Sequence, residues 1–206
     1  MSLRSLLAET KAMTGLLLLV ASAQFLVVMM VAEAVAPDYS MHENAISDLG
    51  VIDETRLFFN ASMFAIGLLN LFAGFFFYKV HGSRVLYAMF VLGGIGAMGA
   101  AAIPLDSPIG IHGLFAFVAF FFINLEAITC VRLTKGPLKV MSLLAGATGI
   151  VFLVMMILVD SNAVDVSGSI GHGGTERLIA YPALLWMVAF GGNLLGDATS
   201  KRQTVA

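Results

Sequence analysis

VLYAMFVLGGIGAMGAAAIP, residues 85–104, decides the fold. It carries no charged residue, and its length is what an α-helix needs to cross a hydrocarbon layer about 30 Å thick with roughly 20 apolar residues. Gly93, Gly94, Gly96 and Gly99, followed by Ala100 to Ala102, let backbones approach closely in lipid, where packing replaces the hydrophobic effect as the force between helices. This density predicts a helix central in a bundle, with Gly146, Gly149, Gly191 and Gly192 of later segments as its partners.

Working outward, five further runs meet the same test: 14–35, 57–78, 113–131, 140–159 and 178–196. With 59% hydrophobic and 12% charged residues among 206, and a mean hydropathy of +0.95, the chain has more apolar surface than a water-soluble core of this size can bury. The expected fold is an all-α integral membrane protein, a six-transmembrane-helix bundle forming one domain over 1–206. Arg4 and Lys11 followed by an apolar stretch and Ala34-Val35-Ala36 imitate a cleavable leader. The run exceeds a usual leader core, and Pro37 would follow the scissile bond, so the first run reads as a membrane helix.

Charge orients the bundle. Nine of the eleven Lys and Arg flank the runs on one side: Arg4, Lys11, Lys79, Arg84, Arg132, Lys135, Lys139, Lys201 and Arg202. Only Arg56 and Arg177 lie on the other, so the positive-inside rule places both termini in the cytoplasm. The opposite side holds His42, His112 and His172 with ten of the thirteen carboxylates: Glu33, Asp38, Glu43, Asp48, Asp53, Glu54, Asp106, Asp160, Asp165 and Glu176. The polar segments 37–56, 105–112 and 160–177 are thereby expected to face out of the cytoplasm at the cell membrane. The cytoplasmic connections are short, with a turn at 81–84 and Gly136-Pro137 between the fourth and fifth runs, so neighbouring helices pack as antiparallel hairpins.

Two outer segments carry local signals. Ser40-Met41-His42-Glu43 fits a capping box and Gly50 suits the end of a short helix, on which Asn44 and Asp48 would share a face. Ser167 to Gly174 reads as a flexible connection or lid, with Thr175 as N-cap of the sixth helix, Glu176 in its first turn, and Pro182 bending it.

His112 is the strongest candidate for chemistry, since it opens the fourth helix six residues after Asp106. His42, His112 and His172 could converge from three loops on a divalent metal such as zinc, three protein ligands plus an activated water. The sequence has no HExxH, HxH or HxxxH, so this metal reading rests on topology alone. Helix-end and solvated roles fit the same residues, and Asp38, Asp53, Glu54, Asp160 and Asp165 read as solvated charges. Arg177 could clamp a phosphate or carboxylate bidentately, or pair with a nearby acid. Glu126 is the one acid inside a run; it must face the bundle interior, either as a hydrogen-bonded acid near Asn70, Asn124 or Asn60 or as a proton relay. The aromatics 75–78 and 115–122 read as packing or lipid-facing residues rather than a cofactor box, and haem fits less well still, since of the histidines only His112 lies on a membrane helix, at its very end. Cys130 is the sole cysteine, excluding an intramolecular disulfide, and no basic stripe suggests nucleic acid.

The chain resembles a family of small prokaryotic membrane proteins catalogued as domain of unknown function 998. The residues that carry this are Tyr39-Ser40, Ile46-Ser47-Asp48-Leu49-Gly50, Phe59-Asn60, Ile103-Pro104-Leu105-Asp106 with His112, and Glu176-Arg177 ahead of Trp186, across roughly 14–195. An aromatic residue is expected before the proline, where this chain has Ile103. The resemblance implies six helices and marks Asp48, Asp106, His112, Glu176 and Arg177 as motif positions; it implies no reaction. A looser likeness to alkaline ceramidases and adiponectin-type receptors, which bind zinc through histidines, lacks their H-x-x-x-H pair and seventh helix.

The functional expectation is therefore an outward-facing site of Asp48, Asp106, His112, Glu176 and Arg177. That site suits metal-assisted hydrolysis of a lipid or small amphiphile. The alternative is non-enzymatic small-molecule binding, sensing or proton-coupled transport through Glu126. Membrane lipids are the expected surroundings.

Overall fold

The computed structural model describes residues 3–161 and 168–203, with side chains from 6 to 161 and 168 to 199. Six α-helices dominate: α1 Leu3–Val35, α2 Arg56–His81, α3 Arg84–Ala102, α4 His112–Cys130, α5 Gly136–Asp160 and α6 Gly171–Gln203. All six are long and apolar enough to cross a membrane. Single 3₁₀ turns occupy Ile46–Gly50 and Gly168–Ile170.

The turns follow from local chemistry. Gly82 ends α2 with a left-handed φ of 68° and donates its N–H to the Tyr78 carbonyl. Ser83 then caps α3 by accepting the Leu86 amide at 3.4 Å. Gly136, at φ 55°, turns the chain into α5, and Pro137 sits in the first turn, where a missing N–H costs nothing.

Each helix packs on its predecessor and its successor, and α6 returns to α1, so the six form a ring in chain order. Across the ring α4 packs on α6, Asn70 of α2 reaches Glu126 of α4 at 3.0 Å, and the Phe77 and Phe190 rings of α2 and α6 lie 6.2 Å apart. The expectation of a central α3 is thus corrected: α3 lies between α2 and α4, and its glycines serve close approach rather than centrality. A Cβ on Gly94 would stand 2.6 Å from the Gly67 carbonyl of α2, while Gly96 lies directly against the Ala119 backbone of α4. Gly191 meets Gly15 of α1 in the same way, at 2.7 Å, and Gly146 and Gly149 seat α5 on Asn124 of α4.

The ring has two different halves. Towards the end bearing the termini, Phe77, Phe90, Trp186 and Phe190 fill the interior, with Trp186 and Phe190 stacked at 5.0 Å and Phe90 5.5 Å from Phe77. Trp186 donates its indole N–H to Ser142 of α5 at 2.8 Å, which satisfies the polar atom of a fully buried ring. Towards the loop-rich end the interior is hollow.

Candidate functional site

The loop-rich end is built on the segment between α1 and α2. No helix follows the Ser40 capping signal: residues 41–44 form turns, and the 3₁₀ turn Ile46–Gly50 comes after. The physical reason is competition for backbone groups. Asn44 turns its side-chain oxygen back to the Ser40 amide at 2.9 Å, and the carbonyls of Met41 and Asn44 each accept from Arg177 Nη1 at 3.0 Å. Asp48 instead caps the 3₁₀ turn, accepting the Ala45 amide at 2.8 Å and the Asn44 side-chain amide at 3.4 Å.

Arg177 is the hub of this end. Its Nε and Nη2 donate to Glu33 Oε1 on α1 at 3.0 and 2.7 Å, its Nη1 also reaches the Gly173 carbonyl at 2.8 Å, and its Nη2 reaches the Tyr39 hydroxyl at 2.6 Å. Tyr181 donates to the same Glu33 oxygen at 3.1 Å. Tyr39 in turn donates to the Ala45 carbonyl at 2.8 Å. Burial pushes its phenol up to about 12, against the lowering pull of the Arg177 guanidinium. The guanidinium fork therefore joins α1, α6 and the first loop, and both Glu33 and Arg177 are buried, at 9% and 7% side-chain exposure.

Beside it, Glu176 is 2% exposed and accepts the Ile46 amide, so the Ile-Ser-Asp-Leu-Gly segment is tied to α6 by its backbone. Here α6 begins four residues before Thr175, at Gly171, and Thr175 lies inside it with its hydroxyl on the Gly171 carbonyl at 2.8 Å. That corrects the expectation of Thr175 as N-cap and of a loose glycine stretch. Gly171 adopts φ 73°, and Gly173 lies against the Asn44 and Met41 carbonyls, so the glycines let α6 enter beneath the first loop. Asp165 and Ser167 lie outside the described residues.

Under the first loop is a cavity. Phe25, Phe59, Ala97, Ala116, Ile123 and Ala180 represent its apolar walls on α1, α2, α3, α4 and α6, and Ile46, Ser47, His112 and Glu176 lie at its loop-rich end. It leaves about 70 Å³ to the centre of a water-sized sphere, several times the roughly 10–15 Å³ that one water needs. Its lining on α4 extends from His112 to Asn124, positions about 18 Å apart along the helix axis at 1.5 Å per residue.

His112 is 5% exposed, and its Nδ1 lies 3.1 Å from the Ala100 carbonyl and 2.8 Å from that of Ile103. It thereby closes the end of α3 onto the start of α4. Its Nε2 is buried with no hydrogen-bond partner among the described residues.

The other candidates stand apart. Asp106 pairs with Arg56 at 2.8 Å on the surface, both more than two fifths exposed. His172 meets Asp160 at 3.2 Å, also exposed. His42 is exposed and gives its carbonyl to the Gly173 amide at 3.0 Å. Among the described residues no three His, Cys, Asp or Glu side chains gather closely enough to hold a metal ion. Glu126 is fully buried, accepts from Asn70 at 3.0 Å, and among the described residues its Oε2 has no hydrogen-bond partner. Asn124 and Asn60 are engaged elsewhere, with Ile179 at 3.1 Å and Gly50 at 2.8 Å.

Of the five residues expected to share a site, Asp48, Glu176 and Arg177 meet through the first loop, His112 joins Glu176 at the cavity, and Asp106 stays outside. Glu33 and Tyr181 were missed as functional partners. The signal available was Glu33 itself, an acid at the last turns of an apolar run, which needs a cation wherever protein surrounds it.

Fold and site together define a class: a six-helix membrane bundle, closed in chain order, with a capped apolar cavity at one end. The chain belongs to the family described as Protein of unknown function (DUF998), which matches residues 19–193. No curated protein and no solved structure matches it significantly.

Proposed function

We propose that this protein binds a small apolar or amphiphilic molecule in the cavity under its first loop, with the loop-rich end facing away from the cytoplasm. The cavity carries the reading: an apolar void of this length inside a packed bundle leaves its lining without dispersion partners unless something occupies it. The orientation rests on the nine basic residues that flank the opposite side of the helices.

Binding has more support than metal-assisted hydrolysis because the charged groups offered for chemistry are engaged in holding the loop. Glu176 holds Ile46, Asp48 holds Ala45, and Arg177 holds Glu33 and Tyr39. The motif residues act as the frame of a cap, and the ligand space lies beneath it.

The test uses n-hexane as a probe of the apolar space. It should raise the unfolding temperature of the wild-type protein in nanodiscs and leave that of Ala116→Phe, which fills the cavity, unchanged. Equal shifts in both proteins would mean that the probe partitions into lipid and that the cavity is not a binding site. Ile123→Phe provides a second blocked variant.

A further inference from the structure

We propose that the cavity receives a single-chain amphiphile whose polar end is a hydrogen-bond donor, an alcohol or an amine, seated on Nε2 of His112. This rests on the binding reading above and deepens it to a ligand class.

The tautomer of His112 follows from its neighbours. Nδ1 faces two backbone carbonyls, at 3.1 and 2.8 Å, and carbonyls only accept. The ring hydrogen therefore sits on Nδ1, and Nε2 of the neutral imidazole presents a lone pair. That atom is buried and unpartnered, on a ring that lines the cavity. A buried acceptor is left with its desolvation uncompensated until a donor reaches it.

The surroundings exclude an anionic head. Among the described residues neither lysine nor arginine lines the cavity, and the nearby Arg177 already serves Glu33, Tyr39 and three carbonyls. A carboxylate or phosphate would find Glu176 at the same end and no positive charge to offset it. Below His112 the wall is apolar except for Asn124 at its far end, whose amide donates to the Phe120 and Ile179 carbonyls, and a volume of about 70 Å³ suits one chain rather than two. A phospholipid amine fails on both counts, since it brings a phosphate and two tails.

Five six-carbon probes and one lipid test this on the full chain in nanodiscs. Hexan-1-ol and hexylamine should bind about tenfold tighter than n-hexane or hexanoate, the gain of one well-made buried hydrogen bond. Pentyl methyl ether, which accepts but cannot donate, should bind no better than n-hexane. In protein carrying nitrogen-labelled histidine, hexan-1-ol should move the Nε2 resonance of His112, and n-hexane should leave it in place. Hexanoate or the ether binding as tightly as the alcohol, or an unmoved resonance, would overturn the proposal. Displacement of hexan-1-ol by phosphatidylethanolamine would overturn the single-chain assignment. The two readings fail differently: n-hexane acting equally on wild type and Ala116→Phe removes the binding site altogether, whereas cavity-dependent n-hexane binding without donor preference removes only the ligand class.

Discussion

Arg177 and Glu33 stand 144 positions apart in sequence and share one carboxylate oxygen through two guanidinium nitrogens, at 3.0 and 2.7 Å. A two-donor contact to a single buried oxygen leaves the rest of the fork free for the first loop, so the pair is both an α1–α6 tie and the anchor of the cap. Removing one partner of a buried pair costs about 3–5 kcal/mol, because the other charge is left uncompensated. Arg177→Leu should therefore lower stability by about that amount, and Glu33→Gln, which keeps an oxygen for Tyr181, should cost less. Chemical unfolding in detergent measures both, and equal small losses would contradict the hub role.

Glu176 predicts a local effect. Glu176→Gln retains an oxygen for the Ile46 amide and should leave the first loop closed, while Glu176→Ala should free residues 45–50. Hydrogen exchange reads this as faster exchange at Ile46 in the alanine variant alone, with the helices unchanged.

The glycine contacts predict opposite outcomes at sites that look alike in sequence. Gly67→Val would drive a side chain into the Gly94 carbonyl, 2.6 Å from the new Cβ, and should cost on the order of 1–3 kcal/mol. Gly192→Ala has Leu19 Cδ1 at 3.9 Å as its nearest neighbour and should be neutral or stabilise by up to about 1 kcal/mol. Thermal unfolding of the pair checks both signs.

Tyr39 predicts an alkaline limit. Its phenol is raised from 10.0 to about 12, chiefly by burial, so the neutral form is favoured in the folded state. Its contribution is fully present below pH 10 and is lost as pH rises through about 12, because the unfolded state ionises first. Tyr39→Phe should flatten that part of the stability profile, and an unchanged slope between those pH values would count against it.

Glu126 is matched by Asn70, which donates to it at 3.0 Å and also reaches the Phe90 carbonyl at 3.3 Å. Glu126→Gln keeps an acceptor for Asn70 and should fold with stability within about 1 kcal/mol of wild type, typical of a retained hydrogen bond. A large loss would mean that the carboxyl, rather than its shape, holds α2 to α4.

Much of the fold was legible because lipid imposes length: residues 85–104 and its five companions each had to be a helix. The positions of those helices were less so. The small residues of α3 signal close backbone approach, and close approach occurs equally in a ring, where no helix is central. Gly171 to Gly174 read as a loose loop because glycine is permissive, yet here smallness matters, since the Asn44 and Met41 carbonyls pass directly over Gly173. In the site, the grouping of Asp48, Glu176 and Arg177 was readable as polar residues of one side, but their roles depend on Glu33, Tyr39 and Ile46, which no spacing connects. The cavity had no sequence signal, because alanine and phenylalanine line it as they line any packed core.

The ring in chain order has a consequence for assembly. Five of its six seams join helices adjacent in sequence, so they can form as each hairpin enters the membrane, while the sixth, between α1 and α6, waits for the last helix. Until α6 arrives, Glu33 lacks Arg177, the first loop lacks its anchor and the cavity lacks the last of its five helical walls. Lys11 and Asp197, 2.7 Å apart, mark where that final seam shuts. A chain reopened at Gly82-Ser83 and joined end to end across that seam would build the same ring, but α1 would follow α6 directly and the seam left for last would be that of α2 on α3.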